Sequence, residues 1–158
     1  MTEGYLQILI ESLEKKNEVL DKISVLNKEQ AEISAHQPMD MEAYDKTMDE
    51  KGELIDEINR LDDGFTSTYE RIKDEVQKQP DKYRSQVLVL QELIRTAVEK
   101  GVAIEAQEKR NRAALETVFR MKRQEIRQMK VSSSAAATYY KSMSRINTVD
   151  PQLMDREK

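Results

Sequence analysis

Residues that could do chemistry are few in this chain, and their spacing does not assemble a reaction centre. The one histidine, His36, stands two residues before Pro38. It has no second histidine or cysteine to share a metal with and no serine spaced to make a nucleophilic pair, so it reads as a solvated turn residue. The 158 residues include no cysteine, which removes disulfides and thiolate zinc sites. Carboxylates are dense at Asp45, Asp49, Glu50, Glu53, Asp56 and Glu57, with Lys46 and Lys51 among them. That spacing is the solvated face of a helix carrying i,i+4 pairs. The Glu-x-x-His spacing of di-iron bundles is missing. The four glycines, at 4, 52, 64 and 101, are scattered, so no phosphate-cradling loop forms. The chain therefore reads as a protein that is not an enzyme, and it calls for no metal or cofactor.

What remains is the scaffold and the surfaces it presents. The composition is 38% hydrophobic, 35% charged and 5% aromatic, with three prolines and no tryptophan. High charge, few breakers and sustained 3–4 spacing of apolar residues predict long helices. The expected fold is all-α: an elongated antiparallel three-helix bundle or coiled coil over residues 1–130, followed by a mostly irregular tail at 131–158. Helix one is expected over about 3–35, with a seam of Leu6, Leu9, Ile10, Leu13, Leu20, Ile23 and Ala31. Asn17, Asn27 and Gln30 fall on or beside this seam, where polar residues fix register and orientation. Pro38 ends the helix, Asp40 is placed to cap the next, and so short a connection makes the two helices antiparallel neighbours.

Helix two is expected over about 41–78, with Tyr44, Met48, Lys51, Ile55, Ile58, Leu61, Phe65, Tyr69, Ile72 and Val76 on its seam. Gly64 is its weak point, but Phe65 and Tyr69 resume the stripe in phase, which predicts one unbroken helix. Helix three is expected over about 81–130, capped by Asp81 after Pro80. Its seam is apolar from Val87 to Ile104, then turns polar at Glu108, Asn111, Lys122 and Glu125, while Leu115, Phe119, Ile126 and Met129 run alongside.

Length then makes a prediction. Helix three should pass the first turn near residue 117 and overhang it by about 15–20 Å. Val118, Phe119, Met121, Ile126 and Met129 would be exposed there, among Arg120, Lys122, Arg123, Arg127 and Lys130. An exposed apolar strip in a charged surround marks a partner surface. Tyr139, Tyr140 and Met143 in the tail either fold back on the bundle or form a short docking motif.

Charge is divided unevenly. Residues 1–78 carry 10 basic and 20 acidic side chains, and residues 79–158 carry 16 and 10, giving −10 and +6. Antiparallel packing would match these halves. A nucleic-acid face is not expected, because the basic residues are mixed with Glu108, Glu116 and Glu125 and lack interleaved aromatics. The first residues have no basic segment or small-residue cleavage site, so no signal peptide is expected, and no apolar run is long enough for a membrane span.

Two stretches carry a resemblance. The polar, asparagine-containing run Ala106-Gln107-Glu108-Lys109-Arg110-Asn111-Arg112-Ala113-Ala114-Leu115 and the tail run Tyr139-Tyr140-Lys141-Ser142-Met143-Ser144 are similar to segments of the FlgN-like family, cytoplasmic chaperones of flagellar type III export. The family often has glycine a few residues after its tail tyrosine, where this chain has Ser144 or Arg145. The resemblance implies a chaperone that holds hook–filament junction proteins and prevents their premature assembly. It implies client binding by Leu115, Val118, Phe119, Ile126 and Met129, and docking at an export-gate component by Tyr139 or Tyr140. The chain would be a monomer or weak homodimer. A coiled-coil adaptor self-associating through the end of helix three is the alternative, as are sibling flagellar chaperones of the FliT or FliS kind.

Overall fold

The computed structural model describes residues 1–132, and these form three helices: α1 at Thr2–Ala35, α2 at Met41–Lys78 and α3 at Arg84–Ser132. The fold is all-α, a three-helix bundle, with no strand among the described residues. Contacts group the residues into two compact units. One joins Met1–Val25 to Lys51–Glu105, and the other joins Leu26–Glu50 to the described residues from Ala106 onward.

In the first unit the core is built by Leu6, Leu9, Ile10 and Leu13 of α1, Ile72 of α2, and Tyr83 and Leu90 at the start of α3, with Phe65 and Tyr69 packed against it. Phe65 and Tyr69 stack with ring centroids 6.4 Å apart, so the stripe does resume in phase after Gly64, and α2 runs through that glycine unbroken. The N-terminal end of α1 meets the C-terminal end of α2, as an antiparallel pair must. Lys16 Nζ lies 2.7 Å from Asp62 Oδ1 across that pair. Helix α3 runs parallel to α1. Gln86 Nε2 donates to the Glu3 carbonyl, Asn17 Nδ2 donates to the Leu93 carbonyl, and Lys100 Nζ sits 3.0 Å from Asp21 Oδ1. The Lys100–Asp21 pair joins the basic second half to the acidic first, whereas Lys16–Asp62 lies within the first half.

In the second unit a polar layer ties all three helices. Gln30 is fully buried and donates to Thr47 Oγ1 at 3.1 Å and to Met48 Sδ at 3.2 Å. Its Oε1 accepts from Asn111 Nδ2 at 3.3 Å, and the same Nδ2 donates to the Asn27 carbonyl at 2.9 Å. Asn27 Nδ2 reaches Gln107 Oε1 at 3.2 Å. Buried amides left unpaired would each cost about 1–3 kcal/mol, so this layer favours one register over its neighbours.

Helix α2 starts as expected: Asp40 Oδ1 accepts from the Ala43 amide at 3.0 Å, and the Asp40 carbonyl accepts from the Tyr44 amide. Helix α3 starts three residues later than its capping signal suggested. The Val87 amide bonds to the Tyr83 carbonyl, which makes Tyr83 the first acceptor of the helix, while Asp81 only meets Arg84 at 3.4 Å. Tyr83 is 3% exposed within the first core. Burying that ring decides where the turn ends, and it outweighs a capping residue worth about 1 kcal/mol.

Candidate functional site

The end of α3 is not the bare overhang that helix lengths predicted. Leu115 is 0% exposed, Phe119 1% and Ile126 6%. Leu115 and Phe119 form a second core with Met39, Tyr44 and Met48, and Ile33, Met41 and Val118 pack against it. The reason is the connection between α1 and α2. Met39 stands in it, and Tyr44 and Met48 occupy the first two turns of α2, so this corner folds over the part of α3 that a length count left uncovered.

The expected strip therefore splits between two faces of one helix. Leu115, Phe119 and Ile126 are spaced 4 and 7 apart and point inward. Met121 lies about 160° round the helix from Phe119 and is exposed, and Val118 sits between them, half-buried at the edge of that core. With Lys122 and Glu125 they form one wall of an open cleft of about 290 Å³, whose other wall is His36, Gln37, Pro38 and Met39. Met121 is 42% exposed and Met129 38%. Methionine suits such a surface because its unbranched thioether adapts to different partners. Arg120 and Arg127 are exposed beside this wall and Lys122 and Arg123 half-exposed, so the α3 side of the cleft is basic apart from Glu125. Tyr139 and Tyr140 lie outside the described residues.

Sequence reasoning missed the opposite wall. It read His36 as a solvated turn residue and the residues around Pro38 only as the break between helices, yet residues 36–39 line half of the cleft. Met39 was the available signal, because an apolar residue after Pro38 in a short connection must be covered by something. His36 is exposed and lines the same wall.

Among the described residues no cluster of three or more histidine, cysteine or carboxylate side chains is placed to hold a metal. No described helix is long and apolar enough to cross a membrane. A resolved shift in proton affinity falls on half-exposed Lys73 of α2 in the first unit, whose pKa is raised by a hydrogen bond from its ammonium to the Glu70 carboxylate at 3.0 Å. What the site can do chemically is bury apolar side chains of another chain beside basic groups. No family model matches the sequence, and no curated protein or solved structure matches it either.

Proposed function

We propose that this protein is a cytoplasmic chaperone of the FlgN-like kind, which holds a hook–filament junction protein before flagellar type III export. The observation that carries the reading is the cleft at the end of α3, where Val118 and Met121 stay partly open beside a buried core. A client's terminal amphipathic helix would seat apolar side chains between Met121 and the Pro38–Met39 wall. It would cover its own assembly surface in doing so. Binding of this sort needs neither nucleotide nor metal.

The burial of Leu115 and Phe119 sharpens the roles inside the strip. These two residues form the core behind the cleft and are not themselves the contact. Phe119→Asp therefore reports on folding and cannot serve as a probe of self-association. The experiment is capture of the tagged full-length chain from flagellated cells, with bound proteins identified by mass spectrometry. A junction protein is expected, and it should be lost with Met121→Asp at unchanged helicity. Recovery of neither a junction protein nor an export component would contradict the proposal.

A further inference from the structure

We infer that the first unit carries a separate groove, between α2 and α3, that takes a basic amphipathic helix from another protein. The groove has a floor of Leu13 and Ala97, both buried, with Lys16 of α1 at its edge held by Asp62, and walls of Asp62, Phe65 and Thr66 on α2 and of Ile94 and Val98 on α3. Its volume is about 280 Å³. The apolar lining continues along both helices. Ile55 is 45% exposed, Ile94 43%, Val98 60% and Val102 64%. Ile94, Val98 and Val102 follow one another at four-residue steps, which places them on one line of α3. Ile58 and Leu61, on the expected seam of α2, are only half-buried. Helix α1 meanwhile has Leu13, Val19, Leu20 and Ile23 buried. The seam that periodicity assigned to a closed core is thus closed over α1 and open between α2 and α3.

Charge identifies the occupant. Asp56 and Asp63, seven residues apart, form the next strip out from Ile55 and Asp62 on α2. Glu92 and Glu99, also seven apart, flank Val98 on α3. Asp62 is paired with Lys16, and Glu92 with Arg95 at 2.7 Å. Asp56, Asp63 and Glu99 have no ion-pair partner among the described residues. A helix entering the groove meets unpaired carboxylates on both sides. It must carry an apolar stripe flanked by lysine or arginine.

The glycines supply an independent sign. Gly52 lies three residues before Ile55, and Gly101 three residues after Val98. Both sit inside helices without positive φ, and a Cβ built at either meets nothing within 4 Å. Glycine weakens a helix interior, and no contact among the described residues requires it there. A close-packed helix from outside does, because an absent side chain lets two backbones approach.

The test uses the full chain and a fluorescent synthetic helix of about four turns, with a leucine stripe flanked by lysines. Anisotropy should show saturable one-to-one binding that weakens about tenfold or more with Val98→Glu, and likewise with Asp56→Lys and Asp63→Lys combined. Gly101→Ala should raise the melting temperature of the free chain while lowering affinity for the peptide, a pairing that a merely structural glycine would not give. Met121→Asp, in the other unit, should leave peptide binding unchanged, which separates this groove from the client cleft. Equal binding of a charge-reversed peptide, or of one with serine in place of the stripe, would overturn the inference. So would a concentration-dependent dimer in sedimentation that Val98→Glu abolishes, since the groove would then belong to a second copy.

Discussion

Asn111 joins three chain segments through one amide nitrogen and its neighbours. It donates to the Asn27 carbonyl and to Gln30 Oε1, and Gln30 in turn donates to Thr47. Asn111→Ala removes the donor that ties α3 to α1 in this layer, so urea unfolding should show a loss of about 1–3 kcal/mol. Asn111→Leu fills the space and should recover part of that loss at the expense of a single register. Phe119 makes the contrasting case. It is an apolar side chain at 1% exposure, and Phe119→Ala should cost about 3–5 kcal/mol by leaving a cavity. At this scale the sequence was informative about type and less so about setting. Asn17, Asn27 and Gln30 could be placed near a seam from spacing alone, and all three are buried. That Asn111 completes the layer could not be read, because its partners are about 80 residues away in the chain.

Among the elements, the helices themselves were the most legible feature. Their apolar spacing and breakers marked α2 to its observed ends and α1 to within a residue at its start. Asp40 is a cap in the structure as in the sequence, and Asp40→Ala should lower stability by about 1 kcal/mol in thermal or urea unfolding without altering the helix count. The start of α3 was misplaced because a local signal, Asp81, competed with a tertiary one, the burial of Tyr83. Tyr83→Ala should therefore destabilise the chain far more than Asp81→Ala. About 3 kcal/mol or more is expected for the first, by analogy with other buried aromatics, and under about 1 kcal/mol for the second. The end of α3 was misread for a related reason. A count of residues treats a connection as having no thickness, whereas Met39, Tyr44 and Met48 make this one a cover.

For the whole molecule, periodicity identified which faces are apolar but not what covers each one. Two faces with similar spacing met opposite outcomes. Phe119 and Ile126, expected to be open, are closed by the chain itself, while Ile55 and Ile94, expected on the seam, remain open. A helical stripe records only that some partner exists. Whether that partner is in the same chain depends on the packing of the connections and on charge, neither of which repeats with a helical period. The candidate site was accordingly legible in part. Val118 and Met121 were singled out from sequence, and the Pro38–Met39 wall was not.

The central claim is that the cleft beside Met121, and not the buried strip, receives a client. Its most direct test is the affinity of a purified junction-protein terminal segment for the parent chain, for Met121→Asp and for Glu116→Lys, an exposed site about 140° round α3 from Met121. Binding should fall about tenfold or more for Met121→Asp, with Glu116→Lys matching the parent and both variants keeping parental helicity. Equal affinity for all three chains would contradict the account.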